Sequence, residues 1–545
     1  MIFQKIDDKL KRGPAAPRLK AAVFDVNHGA VSLAGKYRAS GFDTIAFDVY
    51  EKMPEDKKHA LSESSGIGIS VSTDDLKDVD VVFSPVHLSP HNRFLKAVHD
   101  IGIPVLTHHE AAGLLLKNDE RLKNICLVEI TGVRGKTTTA SLSAQMVSSL
   151  GKTVLHTSRG IEIFDRSADG RVSGKLLRAG GTISPSHIPE IIDEVLNAGI
   201  DPAFMIFEVS LGCTGASDIS LITTLEPAYG IAGNSSDSTS AKTAFLRMNE
   251  ENADMTGDRT TEILIAGEND RNAISRIFRE NSRNSVSDIV YYGQRTEDPA
   301  GFACSADRGD FACSADRGDF VCSADRGNIS GMPDILLTAS GNDAICIDHL
   351  RKGRSFSCRP HHDLFMDAYL PSFAGAAALA LETGVPDSVI AAVIEDFGGI
   401  EGRMKELSVS GRYVLDNSNS GLNEASARAA IGHVLRKSGN GRMITHAPEQ
   451  NSASGIIVLV IGENAREVCE GFPPETAEKI IRDYCGQIDE FILVGDRMKD
   501  AAERLKADGI AVRTAGDHRS GTDLAFRISG ENDIIISAVK CFRRS

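Results

Sequence analysis

Tryptophan is absent, aromatic residues make up only 6% of the chain, and 60 Lys and Arg are outnumbered by 75 Asp and Glu, for a net charge of −15. So few rings exclude the broad base-stacking platforms of single-strand binders. The acidic balance argues against general binding to nucleic acid or an anionic membrane, although a local basic pocket can still hold an anion. Long hydrophobic runs are missing too: the most apolar stretch, residues 455–462, is far too short to cross a bilayer. The N-terminal MIFQKIDDKLKRGPAAP has no apolar signal core. A cytoplasmic protein is expected, with no nucleic-acid or membrane partner.

What is there reads as ordinary globular composition, 41% hydrophobic and 25% charged. At 545 residues the chain is too long for one core. Ten cysteines are present. Three of them, Cys304, Cys313 and Cys322, lie in a nine-residue tandem repeat, FACSADRG and its near copies at about 302–328. Their even spacing lacks the close CxxC pairs of a zinc site, so the repeat reads as the expansion of a surface loop. The other seven are scattered singly, as reduced, buried thiols are.

Short apolar runs at 21–26, 44–49, 79–83 and 103–107 alternate with helix-length amphipathic stretches, the pattern of a parallel sheet. A second series runs through 125–131, 153–157, 204–209, 221–224 and 263–266. A third has strands at 412–416, 456–461, 491–494 and 533–537. The expected fold class is therefore α/β with three domains: 1–118, 119–400 carrying the repeat, and 401–545.

The most informative stretch is VEITGVRGKTTTA, residues 128–140. A buried-type strand runs into Gly132, Val133, Arg134, Gly135, Lys136, Thr137 and Thr138, followed by a helical run closed by Gly151. Such glycines let backbone N–H groups curl around phosphate oxygens at a helix N-terminus. Lys136 is placed for the β- and γ-phosphates and the Thr137 hydroxyl for Mg²⁺. The strict P-loop has a glycine where Ile130 stands, so this is a variant, G-x-x-G-K-T.

That variant resembles the ATP site of the Mur ligase superfamily, and further matches follow in order over residues 125–420. FEVS at 207–210 resembles the ligases' E-[VL]-S strand end and makes Glu208 a metal ligand. Ala241-Lys242 resembles the pair whose lysine is carbamylated, which would turn Lys242 into a further metal ligand. GRM at 402–404 resembles the linker whose arginine, here Arg403, reaches nucleotide phosphates. VLDNSNSG places Asp416 at the ribose, with Asn417 and Asn419 keeping the polar character of the motif. The family's D-H-L-D segment is absent, with Asn234 and Asp237 as the obvious substitutes. The resemblance implies a three-domain Mur-ligase-like architecture: a central P-loop ATPase domain with a parallel sheet, between Rossmann-like N- and C-terminal domains. It also implies ATP and Mg²⁺ as cofactors, with Lys136, Glu208, Lys242 and Arg403 as the catalytic set.

Three other stretches are not of the peptidoglycan type: Asp-x-x-His-Gly at 25–29, HTSRG at 156–160 and AVKCFRR at 538–544. They resemble the branch of the superfamily that acts on a nickel-containing tetrapyrrole in methanogenic archaea. That resemblance implies ATP-dependent activation of a side-chain carboxylate and intramolecular carbon–carbon ring closure. An amide-forming Mur-type ligase and a nucleotide-binding scaffold without ligase activity are the alternatives. A polycarboxylate macrocycle needs local cations, for which His28, His156, Arg159 and Arg178, in or beside strand-to-helix loops, are candidates. No nickel ligand set is demanded, because the metal arrives in its macrocycle. The adjacent pairs His108-His109 and His361-His362 read as structural. A monomer or small homo-oligomer is expected.

Overall fold

The computed structural model describes residues 2–166, 172–247, 261–280, 286–296, 332–339, 344–361, 364, 366–419, 421–438, 455–464 and 471–541. The tandem repeat and residues 542–545 lie outside these. The chain divides into two compact units, Met1–Cys358 with Leu370–Ile394, and Arg359–Tyr369 with Glu395–Ser545.

The first unit holds two sheets. The N-terminal one contains β1 (Lys20–Phe24), β2 (Asp43–Phe47), β3 (Gly68–Ser70), β4 (Val81–Ser84) and β5 (Val105–Thr107), in the spatial order β3-β2-β1-β4-β5, all parallel. Four of the five residues of β1 are fully buried because helices cover both faces, which is why it reads as continuously apolar rather than alternating. One face packs on Leu33, Ala34 and Tyr37 of the helix Ala30–Ala39, and the other on Phe94 and Val98 of the helix Arg93–Ile101. The strand order reverses between β1 and β4. The crevice outside the carboxyl ends of those two strands is therefore the switch point of this sheet, the place where open α/β sheets take ligands.

The central sheet is built from β6 (Cys126–Thr131), β7 (Thr153–Thr157), β8 (Gly160–Arg166), β9 (Val172–Ala179), β10 (Phe204–Glu208) and β11 (Ile219–Ile222). After a two-stranded ribbon, β12 (Gly230–Ile231) with β13 (Ser236–Asp237), it continues through β14 (Ile263–Gly267), β15 (Asp288–Thr296), β16 (Ile335–Ala339), β17 (Ile345–His349) and β18 (Arg354–Cys358). Its order is β18-β17-β16-β15-β14-β11-β6-β10-β7-β8-β9. Seven strands from β7 to β16 are parallel, with an antiparallel hairpin extension at each edge. Strand β6 sits between β10 and β11, and the helix Lys136–Val147 that follows it is buried along nearly its whole length.

The two sheets of this unit meet through side chains rather than a long linker. Lys36 pairs with Asp193 and Ser32 with Glu190. A Cβ on Gly113 of the helix His108–Lys117 would lie 2.6 Å from the Thr214 carbonyl oxygen, so glycine is what lets that helix approach. The second unit carries β19 (Lys405–Val409), β20 (Arg412–Asp416), β21 (Ile457–Glu463), β22 (Glu490–Val494), β23 (Val512–Ala515) and β24 (Ile534–Lys540), in the order β19-β20-β24-β21-β22-β23. It is parallel except for β19.

Two expectations need correcting. The strand at 153–157 is followed by the hairpin β8–β9, not by a helix, and β9 is largely exposed, so no apolar run announces it. The single cysteines are not uniformly buried: among the described ones Cys213, Cys358 and Cys541 are, Cys126 and Cys346 are half-buried, and Cys485 is exposed.

Candidate active site

Strand β6 delivers the chain into the phosphate loop at the middle of the central sheet. Gly132 (φ 142°) and Gly135 (φ 80°) take backbone conformations that L side chains rarely adopt. A Cβ on Gly132 would lie 2.0 Å from Thr223 Oγ1, so the tip of β11 requires glycine there. The Val133 N–H donates to the Thr224 carbonyl at 2.8 Å, which fixes the arch of the loop. Gly135 starts the helix Lys136–Val147, which carries no side-chain cap. Uncapped N–H groups at a helix start favour a phosphate there. Lys136 Nζ folds back to donate to the Gly132 carbonyl at 3.0 Å.

Thr137 and Glu208 converge from adjacent strand ends. The Thr137 hydroxyl donates to both Glu208 oxygens, each at 3.0 Å, and the Ser158 N–H donates to the same carboxylate at 3.3 Å. Both side chains are buried. A hydroxyl and a carboxylate held together are hard oxygen donors of the kind a small divalent cation takes, so the residues fit the ion that an ATP site requires.

Lys242 lies in the short helix Ser238–Thr243, 1% exposed, donating to the Tyr229 hydroxyl at 3.2 Å and lying over that ring. Burial, and then the charge of Lys136, push its ammonium down to about 7. The structure thus brings the loop residues 132–138, Glu208 and Lys242 into one neighbourhood. Asp237 serves elsewhere: it caps the Lys242 helix by accepting from the Ser240 N–H at 2.8 Å. Asn234 (φ 64°) shapes the β12–β13 turn beneath Gly230.

Arg403 and Asp416 lie in the second unit. There the Arg403 guanidinium donates to Asn419 at 2.7 Å, and the buried Asp416 carboxylate accepts from the Gly402 N–H at 2.9 Å and the Ser418 N–H at 3.1 Å. Asn417 and Asn419 are buried in the same network.

The expected tetrapyrrole cations separate. Arg159 is exposed in the β7–β8 turn, and Arg178 on β9 pairs with Glu194 at 3.2 Å. The expectation that His156 supplies a cation from a loop is corrected: it lies within β7 and is 1% exposed. Burial, with Arg178 nearby, pushes its imidazole down to about 3, so it is neutral.

His28 is where the sequence put it, after β1, but its partners were missed. The fully buried Asp25 accepts from His28 Nδ1 at 2.6 Å and from Nε2 of His87, in the loop after β4, at 3.2 Å. Burial raises the Asp25 carboxyl, but the two imidazoles outweigh it and hold the group well below the ordinary carboxylate range. His108 and His109 start the helix beside this cluster. Burial pushes them down to about 3 and about 4, and His109 bonds the Ser210 carbonyl at 3.0 Å. His361 faces Asp396 in the second unit, and His362 lies outside the described residues. A histidine three residues after the buried strand β4 was the available signal for His87. That β4 lies beside β1 is a fact of topology, and the sequence alone did not show it.

An arched glycine loop on the central strand of a parallel sheet, with a lysine and a paired hydroxyl and carboxylate, is the phosphate site of a P-loop nucleotide-binding enzyme. Residues 406–541 match the family described as coenzyme F430 synthetase CfbE, C-terminal domain. The coenzyme F(430) synthetase of Methanosarcina acetivorans is 35% identical over 96% of this chain and 99% of its own, and that of Methanocaldococcus jannaschii is 27% identical over 41% and 49%. The chain belongs to the coenzyme F(430) synthetase family. Among solved structures, a pseudomurein peptide ligase type C from Methanothermus fervidus aligns with 96% of this chain and 97% of its own at 12% identity and TM-score 0.44.

Proposed function

We propose that the protein closes the carbocyclic ring of the nickel tetrapyrrole 15,17(3)-seco-F(430)-17(3)-acid, consuming ATP and yielding coenzyme F(430), ADP and phosphate. The observation that carries this is the intact loop, Lys136 and Thr137–Glu208 pair in a chain alike over its whole length to a coenzyme F(430) synthetase.

A carboxylate is a poor electrophile until one of its oxygens becomes a phosphate leaving group. In the proposed reaction the substrate carboxylate attacks the γ-phosphorus of ATP and ADP departs. A carbon of the same macrocycle then attacks the acyl carbonyl, and phosphate leaves with the electron pair of the broken C–O bond. Lys136 and the loop N–H groups hold the phosphates and offset charge as it shifts, work that is mainly positioning and electrostatics. Thr137 and Glu208 would hold Mg²⁺, which supplies charge neutralisation on the phosphates. We assign Lys242 as a carbamylation site, in which its amine takes up CO₂ and releases a proton to become an anion. A buried, readily deprotonated amine supports this, and a carbamate ¹³C signal lost in Lys242→Arg would test it. Arg403 and Asp416 are proposed nucleotide residues on the strength of their motifs. Because nucleophile and electrophile share one molecule, effective molarity is high and no amine pocket is needed.

The test is an anaerobic assay with ATP, Mg²⁺ and the nickel seco-acid. Loss of one water from the macrocycle with matching ADP, and no amine added, is expected. ADP release only on adding an amino acid would overturn the reading in favour of an amide ligase.

A further inference from the structure

Acylation at carbon has a requirement that phosphoryl transfer does not meet. The attacking carbon carries a hydrogen, and the new C–C bond persists only if that proton leaves. Near Lys136 the side chains able to take a proton are already engaged, Glu208 by the Thr137 hydroxyl and Lys242 with the Tyr229 hydroxyl, and both are assigned above to the metal. The acceptor needs an open ring nitrogen or carboxylate on the same unit.

We propose that His87 is the proton acceptor of ring closure, held in position by Asp25, with His28 as the second imidazole of the same clamp; this rests on the ring-closing reading above. Three observations converge on it. Asp25, His28 and His87 form a group whose ligand-type atoms lie within 4.8 Å of one another. The carboxylate that joins them is fully buried, while each imidazole stays about one-third exposed, 30% for His28 and 31% for His87. A buried carboxylate on one ring nitrogen fixes the tautomer and the orientation of the ring, as the orienting acid does in proton-transfer sites. His87 gives its Nε2 to Asp25, and no described residue bonds its Nδ1.

The group also stands where a ligand belongs. Asp25 follows β1 and His87 follows β4, so the pair spans the switch-point crevice. Asp25 is held in the left-handed region at φ 75° by its N-capping of the turn 26–28. The loop is then clamped from the central sheet: Ser186 Oγ donates to the His28 carbonyl at 2.8 Å and Ser184 Oγ at 3.1 Å. A Cβ on Gly29 would lie 2.4 Å from His187 and Ser186.

On the other side, Val86, next to His87, packs on the small buried cluster of Ile231, Ala232 and Ala241, as does Leu211; Ala241 and Leu211 are the neighbours in sequence of Lys242 and Ser210. His87 is within electrostatic reach of His109, His109 of Lys242, and Lys242 of Lys136. The imidazole pair is therefore the next chemistry along from the phosphate loop, on the same unit.

In the step itself, the carbon's electron pair forms the C–C bond to the acyl carbonyl and phosphate departs with the C–O pair. The proton on that carbon passes to His87 and from there to solvent. No oxidant, reductant or second substrate is required.

The experiment separates the two half-reactions. With ATP, Mg²⁺ and the nickel seco-acid, hydroxylamine traps the acyl phosphate while mass reports ring closure. His87→Gln is expected to keep ADP release and hydroxamate within about threefold of wild type while closure falls at least about 100-fold, the usual loss on removing a general base. Asp25→Asn, a positioning change, is expected to lower the closure rate by about tenfold or more while ADP release and hydroxamate stay near wild type, and Asp25→Glu should restore part of it. The groups facing the cluster are His28, His108, His109 and His187. Equal loss of hydroxamate and closure in a His87 variant of unchanged melting temperature would overturn the assignment, as would undiminished closure. One equivalent of zinc or nickel on the purified protein, lost with His87, would also overturn it, because a metal-bound nitrogen accepts no proton. If wild type forms hydroxamate but never closes the ring, the ring-closing reading has failed and the base falls with it. Closure lost only in the variants leaves that reading standing.

Discussion

At the carboxyl end of β6 the chain places glycines, a lysine, a hydroxyl and a carboxylate. At the carboxyl end of β1, on the same strand–turn–helix plan, it places an aspartate and imidazoles. The first crevice handles charge. Its lysine and uncapped N–H groups are the groups proposed to hold phosphates, and its carboxylate, Glu208, is paired with a hydroxyl rather than a base. The second is the proposed proton site, with one buried anion shared by two rings about one-third exposed and two neutral, deeply buried ones behind them. Phosphoryl transfer needs fixed charge and carbon acylation needs a proton sink, so the proposed reaction would divide its chemistry between these two strand ends.

The sharpest way to break the comparison is at Lys136. Lys136→Ala is expected to cut both ADP release and hydroxamate formation by about 10²–10³-fold or more, since one charged donor aimed at shifting negative charge is worth that much. The His87 variants should spare those readouts, so a Lys136 variant that lost only closure would erase the distinction.

Glu208→Gln comes next. The residue keeps its shape and its contact with Thr137 but loses the negative charge that a divalent cation needs. A rise of about 10–100-fold in the Mg²⁺ concentration for half-maximal ADP release is expected, the scale for altering groups around a metal. Saturating Mg²⁺ should restore much of the rate, which it does not do for Lys136→Ala.

The imidazole side should also show in stability. His108, His109 and His156 are buried and neutral, with burial holding them at about 3, about 4 and about 3. The unfolded chain takes up these protons near the ordinary 6.5, the folded one much later. Their contribution is therefore fully present above about pH 6.5 and is lost as pH falls toward 4. The linkage is about 1.4 kcal/mol per pH unit per proton, or about 4 for the three. Both ring nitrogens of His156 are buried without a partner. His156→Leu should then leave stability at pH 7.5 unchanged or higher and shallow the acid slope by one proton. Unfolding followed from pH 7.5 to 4.5 checks both.

How much of this was legible divides along the same line. The phosphate loop was readable because its chemistry is local: strand, glycines, lysine and threonine within a few residues. Glu208 was picked out by the likeness of FEVS to the ligases' strand end, and its contact with the Thr137 hydroxyl is what the structure adds. The Asp25–His28 half of the second crevice was visible as a spacing, but its meaning depends on His87, which topology brings in from another strand. The hairpin β8–β9 was missed for a different reason: β9, VSGKLLRA, is mostly exposed and carries no apolar face to read. His156 was misread because its strand continues into that hairpin, so a residue expected in a loop is interior.

The smallest effect is expected at the tandem repeat, which lies between β15 and β16 in the sequence. These strands are parallel neighbours, with Tyr292 beside Ile335 and Thr296 beside Ala339. The chain leaving Thr296 must therefore return the length of five residues, roughly 15 Å, before it can enter β16. Deleting 302–327 leaves 297–301 and 328–334, about a dozen residues, the least that a parallel crossover normally uses and an extended reach of about 40 Å. Shortening a connection changes closure entropy only logarithmically, by about 0.6 kcal/mol per halving. The deletion should thus keep ADP release, hydroxamate and closure within about twofold and move the melting temperature by only a degree or two. If closure alone fell, the repeat would belong with the imidazole crevice. If ADP release fell too, it would belong with the phosphate loop, and the division between the two sites would have to be redrawn to include it.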